Sequence, residues 1–196
     1  MLISRPASPP AGASTTTDRE TPLTDNTNTP HASENPDAGT AADATPPGLS
    51  YIATIDVDVG TPITIGTTID GLREVVPIRG GRVKGLGLNG TVLDVGADFQ
   101  QYPSETVANL VADYVLKTDD GHHILVENRA IRTGSSSDLN KLMSGEQVDP
   151  LRIYFRCVPR LSADQSSPYA WMSDVLFIGT GVRSPNGVKI NIFQVL

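Results

Sequence analysis

Short segments in which apolar and polar residues alternate recur from about residue 50 to the C-terminus, and they constrain the fold of this chain most strongly. YIATIDVDVG (51–60) carries an aliphatic residue at almost every second position. The same alternation occurs in LRIYFRCVP (151–159) and in GVKINIFQVL (187–196). A period of two residues is typical of β-strands that bury one face.

Turn signals separate these segments. In VADYVLKTDDGHHILVENRAI (111–131) the central Asp-Gly predicts a hairpin, and RSPNG (183–187) predicts a second turn near the C-terminus. One segment breaks the strand pattern. SSSDLNKLMSGEQ (135–147) combines Ser and Asp at a helix start, apolar residues at helical spacing and Gly145 as a stop. It predicts one short helix on a connection.

Many short strands with a single helix predict an all-β domain. We expect a single antiparallel β-barrel over residues 49–196, because a barrel wall can bury one strand face while its lumen accepts polar groups. A β-sandwich remains the alternative. Residues 1–48 hold eight of the fifteen prolines and no Phe, Trp or Tyr. Such a segment buries little apolar area, so we predict a disordered N-terminal tail.

Composition narrows the function classes. One Cys and three His argue against a structural metal, and a net charge of −7 argues against a nucleic-acid partner. No run approaches the roughly 18 apolar residues of a membrane span, and MLISRPASPP is followed by no apolar signal region. We therefore expect a cytoplasmic protein with no cofactor, metal, membrane or nucleic-acid partner. A homo-oligomer is compatible with the sequence.

The string GLGLNG (85–90) fits the glycine pattern of dinucleotide-binding loops. Such a loop must lead into a helix whose N-terminus meets the pyrophosphate. The residues that follow, TVLDVGADF (91–99), alternate as a strand does. The glycines are therefore interpreted as turns and bulges between strands.

Four motifs in order carry a family resemblance: VPIRGGRVKG with LNGTVLDVGADFQ, YVLKTDDGHHILVENRAIRTG, GEQVDPLRIYFRCVPRL, and YAWMSDVLFIGTGVR. Together they resemble the domain-of-unknown-function family 3237 from about residue 50 to the C-terminus. The resemblance implies a compact barrel similar to the allene oxide cyclase, dirigent and lipocalin barrels. Relatives of that fold steer reactive small molecules through cyclisation or coupling. The chain departs from the family pattern at Phe99, where a Trp is usual, and at Ala130, where a Gly is usual.

Candidate catalytic residues follow from the residue types and from this resemblance. Asp98 matches the family's GAD aspartate, and a carboxylate facing a low-dielectric cavity suits general acid–base work. Arg156 and Tyr154 belong to the shared YFR motif and could stabilise a developing oxyanion. Each also has a structural interpretation, as a carboxylate capping a turn or as an Arg–Asp ion pair. The candidate substrate-binding residues are Phe99, Tyr114, Glu127, Arg129, Trp171 and Arg79.

Two function hypotheses remain open at this point. The first is a cofactor-independent isomerase or cyclase acting on a small oxygenated, largely apolar metabolite of the natural-product type, with confinement supplying part of the effect. The second is a barrel that binds a small molecule without turnover. A purely structural domain that forms oligomers is a weaker third. No nucleophile–base motif is present, which favours chemistry by shape and proton transfer.

Overall fold

The computed structural model describes residues 45–196, so the prediction of a disordered tail over residues 1–48 falls almost wholly outside the described residues. The described part is an all-β barrel with one α-helix, as the alternation predicted. Its strands are β1 (Leu49–Val59), β2 (Ile63–Thr68), β3 (Gly71–Gly85), β4 (Gly90–Ser104), β5 (Val107–Thr118), β6 (His123–Thr133), β7 (Tyr154–Ala163), β8 (Phe177–Ser184) and β9 (Gly187–Val195). The helix α1 spans Ser136–Met143.

Eight strands close the barrel. Strands β3 to β9 follow one another as antiparallel neighbours, and β1 closes the ring by pairing with both β9 and β3. Strand β2 pairs only with the first half of β3. Closure leaves the barrel wall without a free edge, which removes the unpaired backbone groups of an open sheet.

Two bends allow long strands to change direction. Strand β3 is 15 residues long and pairs with β2 at its start and with β1 at its end. Gly81 lies at the bend with φ 136°, and a Cβ there would collide with the Asp56 carbonyl oxygen. Gly96 bends β4 in the same way, with φ 101° and the Asp113 carbonyl oxygen against its missing Cβ. Both positions require glycine because the backbone is left-handed and the neighbouring strand is too close.

The connections agree with the turn signals. β5 and β6 form the predicted hairpin through Gly121, whose φ is 93°, and β8 and β9 form the second one. Helix α1 begins after Ser135, whose hydroxyl accepts the Asp138 backbone N–H at 3.1 Å. Gly145 follows the helix with φ 78°. These outcomes reflect local chemistry that the sequence encodes directly.

The hydrophobic core fills the barrel interior. Alternate residues of each strand point inward, and large members of this set are fully buried, including Ile55, Leu116, Ile124, Leu161 and Ile192. A second, smaller core lies under helix α1. Most barrel strands thus turn aliphatic side chains toward the lumen, whereas β4 and β6 also place polar side chains there.

Candidate functional site

A cavity lies in the barrel interior among these inward side chains. The space open to the centre of a water molecule is about 40 Å³, room for a few waters since each needs about 10–15 Å³. A larger ligand therefore has to displace side chains. Most of the wall is apolar, with polar groups on one part of it. The lining residues are Val57, Val59, Val76, Ile78, Asp98, Gln100, Leu110, Ala112, Tyr114, Asn128, Ala130, Arg132, Phe155, Arg183, Val188 and Ile190.

A chain of hydrogen bonds crosses the polar part of the wall. Arg132 Nη2 donates to the Tyr102 hydroxyl at 3.1 Å, and that hydroxyl donates to Gln100 Oε1 at 2.5 Å. Gln100 Nε2 then donates to Asp98 Oδ2 at 2.6 Å. Each group is therefore held in one orientation, and the Asp98 carboxyl stands at the end of the chain.

Strand periodicity explains why these side chains meet. Asp98, Gln100 and Tyr102 occupy alternate positions of β4, and Asn128 and Arg132 occupy positions of the same parity on β6. Strand β5 lies between β4 and β6 in the sheet. Alternate residues of a strand share one face, so both sets point into the lumen across β5.

Burial controls the chemistry of Asp98. Its Oδ1 is buried and accepts no hydrogen bond from the described residues. Desolvation raises the pKa of this carboxyl above its usual value, against the opposing effects of the Gln100 hydrogen bond and the positive charges of Arg132 and Arg183. A carboxylate of raised pKa is a stronger base than an ordinary aspartate.

Unpartnered polar atoms converge on this cavity. Among the described residues, four buried side-chain atoms lack a hydrogen-bond partner, and three of them belong to cavity-lining residues: Asp98 Oδ1, Asn128 Oδ1 and Arg132 Nε. Buried polar groups in proteins are normally paired, and an unpaired one costs free energy. Three cavity-lining residues therefore carry an unpaired polar atom, two acceptors and one donor in total, that a ligand could satisfy.

Tyr114 joins Asp98 at the cavity, as predicted for a pocket residue. It is fully buried, and burial raises the pKa of its phenol further above neutrality. Its ring is therefore part of the apolar wall, with a neutral hydroxyl. The catalytic role predicted for Asp98 and the binding role predicted for Tyr114 stay predictions, but the structure places both in one cavity.

The predicted grouping of Arg156 and Tyr154 with Asp98 is wrong. Both side chains point out of the barrel, where Tyr154 is 53 % exposed and the Arg156 guanidinium stacks on its ring at 5.0 Å. They line an open outer groove together with Arg129. The inward positions of β7 belong to Phe155 and Cys157. The apolar face of β7 points into the lumen, and its polar face forms part of the outer surface of the barrel.

Several predicted substrate-binding residues also lie outside the cavity. Phe99 is 50 % exposed because it follows Asp98 on the strand and so faces the opposite way. Glu127 pairs with Arg160 at 3.2 Å on the outer surface, while Arg79 pairs with the exposed Asp94 at 3.4 Å.

Trp171 is a further correction. It lies on a short 3-10 helix, Ala170–Asp174, and its ring packs near Phe177 with the ring centroids 6.1 Å apart. It is absent from the cavity wall.

Sequence reasoning missed four polar residues of the cavity, Gln100, Asn128, Arg132 and Arg183. It also missed Tyr102, which hydrogen-bonds to two of them. The parity of Asp98 on its own strand would have indicated Gln100 and Tyr102. No local signal indicates Arg132, because its neighbours Ile131 and Thr133 suggest the opposite orientation for that part of β6.

Residues 45–196 contain neither a metal-binding cluster nor a membrane-spanning helix. No group of three or more His, Cys, Asp or Glu residues in that range could hold a metal ion. No helix of the described range is long and apolar enough to cross a membrane.

Comparisons with known proteins agree with the fold. The family model described as "Protein of unknown function (DUF3237)" matches residues 47–195. A UPF0311 protein of Rhodopseudomonas palustris (strain TIE-1) is 42 % identical over 146 residues, which are 74 % of this chain and 95 % of that protein. The crystal structure of the conserved protein of unknown function RPA1785 from Rhodopseudomonas palustris superposes with a TM-score of 0.73 at 40 % identity, covering 78 % of this chain and 99 % of that one.

A more distant structural neighbour is described as an enzyme from Penicillium herquei. It is 18 % identical, has a TM-score of 0.57, and covers 78 % of this chain and 96 % of that chain. At this identity the likeness concerns the fold alone.

Proposed function

We propose that this chain, which belongs to the DUF3237 family, is a cofactor-independent isomerase or cyclase that acts on a small oxygenated molecule inside the barrel. The observation that carries the proposal is the buried Asp98 carboxyl, whose Oδ1 has no partner among residues 45–196. Asp98 lines a cavity together with Arg132, whose Nε is likewise unpaired within those residues. A positioned base and an oxyanion donor in one enclosed space are the minimum equipment for proton transfer next to a carbonyl.

Asp98 acts as the base in this proposal. Its free Oδ1 takes a proton from a carbon adjacent to a substrate carbonyl, and the same carboxyl returns that proton to another carbon or to oxygen. The Gln100 hydrogen bond to Oδ2 fixes the carboxyl while leaving Oδ1 available. Gln100 and Tyr102 are therefore positioning residues, since they act through Asp98 and Arg132.

Arg132 stabilises the negative charge that develops on the substrate oxygen. Its Nη2 is engaged by Tyr102, which holds the guanidinium, and its Nε has no partner within the described residues. A fixed donor in a water-poor site costs no reorganisation during the reaction. Asn128 Oδ1 can accept a substrate hydroxyl and so set the orientation of the ligand.

The apolar part of the wall supplies confinement. Val57, Ile78, Leu110, Tyr114 and Ile190 surround the remaining space and are buried. A substrate held by these side chains has few conformations left, which lowers the entropic part of a cyclisation barrier. The enzyme of similar fold from Penicillium herquei supports only the statement that such a barrel can house catalysis.

A binding protein without turnover is the second candidate. The mostly apolar wall with a few polar groups favours it, since small-molecule binding sites commonly have this composition. In that case the polar cavity residues Asp98, Asn128 and Arg132 only orient the bound ligand.

The test is deuterium incorporation measured by mass spectrometry. The full chain is incubated in D₂O with a panel of small enolisable ketones and hydroxyketones, and the mass and the isomer composition of each compound are recorded. The proposal expects an enzyme-dependent gain of deuterium or an isomer of equal mass. We expect Asp98→Asn to lose this activity by about 10²–10⁴-fold, and the exposed-strand control Asp94→Asn to retain it.

Exchange that survives in Asp98→Asn would refute the role of Asp98. A compound that is retained by the wild-type protein on gel filtration but never exchanges or rearranges would favour the binding candidate.

A further inference from the structure

Two arginines share the barrel interior. Arg132 is only 3 % exposed, and Arg183 is partly buried on β8. Both line the cavity, and the cavity-lining residues include a single carboxyl, that of Asp98. The lining therefore carries net positive charge whether Asp98 is protonated or ionised.

Neither guanidinium has a carboxylate partner. Within residues 45–196, Arg132 and Arg183 form no salt bridge, whereas Arg73, Arg79, Arg152 and Arg160 each do. Within this range the side chain of Arg183 makes one hydrogen bond, a donation from Nη1 to the Gly187 carbonyl oxygen at 3.1 Å. A guanidinium removed from water without an ionic partner costs free energy, so proteins normally pair it or use it to bind an anion.

Arg152, unlike the two arginines of the lumen, forms a salt bridge with a buried carboxyl. The buried Asp138 carboxyl receives Arg152 Nη2 at 2.8 Å beside helix α1. In the lumen the charge of the Asp98 carboxyl acts on both arginines, but within residues 45–196 that carboxyl forms no salt bridge with either of them. Arg183 also loses proton affinity because of burial and the nearby charge of Arg132, so its pKa is lowered. An anion between them would relieve both effects.

We propose that the substrate of this site is a small carboxylic acid whose carboxylate binds Arg183 inside the barrel. The inference rests on the proposed function and names its substrate class. Arg183 supplies the charge for the carboxylate, and Arg132 Nε remains for the oxygen of the reacting carbonyl. Asp98 then faces the carbon between them. A 3-oxo acid or an unsaturated oxo acid has this arrangement of groups.

Arg183 is also placed to meet an incoming anion. Its side chain lines the interior cavity and the neighbouring crevice beneath helix α1, where Leu142 and Ile153 also contribute. It is partly exposed, so it can move more easily than the enclosed Arg132. Arg183, which binds the carboxylate in this proposal, is thus the arginine whose side chain can move to admit it.

The experiment compares butanoate with butanamide, which have the same size but differ in charge. Each is titrated into the full-length wild-type chain by calorimetry, while the Arg Nε–Hε signals are followed by NMR. Butanoate is expected to bind at least about tenfold more tightly than butanamide, as a charge-assisted contact requires. Arg183→Gln should lose that preference, and Arg73→Gln, which alters an exposed arginine, should keep it.

The comparison of two probes on the wild-type protein does not depend on any variant folding correctly. Equal affinity for butanoate and butanamide, binding of neither, or unchanged butanoate binding by folded Arg183→Gln would each overturn the inference.

Asp98→Asn separates this inference from the proposed function. It removes negative charge from the lumen, so we expect tighter butanoate binding together with lost exchange in D₂O. The exchange panel is therefore extended to 3-oxo acids and unsaturated oxo acids. Butanoate binding without exchange in any compound of this extended panel would leave carboxylate binding at Arg183 standing and refute the isomerase. Exchange confined to uncharged ketones would support the isomerase and refute the inference that its substrate is a carboxylic acid.

Discussion

Asp98→Asn is expected to stabilise the fold at neutral pH, although it removes the proposed base. Asparagine has nearly the same shape, and its amide oxygen can still accept the Gln100 Nε2 donation that Oδ2 accepts at 2.6 Å. What disappears is a buried charge whose Oδ1 has no hydrogen-bond partner within the described residues.

The magnitude follows from the desolvated charge, because the amide nitrogen that takes the place of Oδ1 is a buried polar group as well. An unsatisfied buried group costs about 1–3 kcal/mol when it is neutral and more when it is charged, and the substitution removes the cost of the charge. We therefore expect the unfolding free energy at pH 7 to rise by about 1–3 kcal/mol. For a domain of this size the melting temperature should rise by about 2–12 °C. The attraction of Arg132 and Arg183 for the charge opposes this gain but is outweighed by desolvation.

The difference should depend on pH. The pKa of Asp98 in the folded protein lies above its ordinary value of 3.8, so the folded state binds more protons between those two values. The unfolding free energy of the wild-type protein therefore falls as pH rises through that window. At lower pH the carboxyl is protonated in both states and the advantage of the variant is smallest. Above the window the advantage is largest and constant.

Urea denaturation of wild type, Asp98→Asn and Asp94→Asn across this pH range is the assay. Asp94 lies on the same strand, but its side chain is 63 % exposed and pairs with Arg79, so its replacement should change stability by at most about 0.5 kcal/mol. If wild type is more stable than Asp98→Asn at pH 7, the charges of the two arginines dominate. The argument from desolvation is then refuted.

Four further experiments test the fold and the hydrogen bonds that link Arg132, Tyr102, Gln100 and Asp98. Tyr102→Phe removes the hydroxyl between Arg132 and Gln100 and should cost about 1–3 kcal/mol in urea unfolding; no loss would mean that the chain is not formed. Gly96→Ala should cost more than about 2 kcal/mol because of its left-handed backbone and its collision with a carbonyl oxygen. Gly66→Ala, with a similar φ but nothing within 4 Å, should cost only about 1–2 kcal/mol; equal losses by thermal unfolding would refute the steric argument. Burial raises the pKa of the Cys157 thiol to about 11, so a thiol reagent at pH 7 should label the native protein far more slowly than the urea-unfolded one, and equal rates would contradict its burial.

Local chemistry made most of the architecture predictable. Alternation identified strands such as β1 and β7, Asp-Gly identified the β5–β6 hairpin, and Ser135 with Gly145 bounded helix α1. Each signal acts within a few residues, through side-chain periodicity, turn conformation or helix capping. Such signals can therefore be identified in the sequence without knowing which strands pair.

The site was only partly predictable, because alternation separates two faces of a strand without saying which one holds the function. Asp98 was identified from its type and motif, and it does face the cavity. Tyr154 and Arg156 lie on the polar face of β7, and that face became the outer surface once the barrel buried Phe155 and Cys157. Phe99 could not share a pocket with its neighbour Asp98, since adjacent residues of a strand point apart.

The sequence by itself determined the set of strands, their order along the chain and the residue types available for chemistry. Only the tertiary structure decided that Asp98, Asn128, Arg132 and Arg183 meet, because they come from three strands that barrel closure brings around one lumen. It also decided their chemistry. Burial raises the pKa of Asp98, and it encloses two arginines that form no salt bridge within residues 45–196. Burial is a property of the whole packed barrel rather than of any segment.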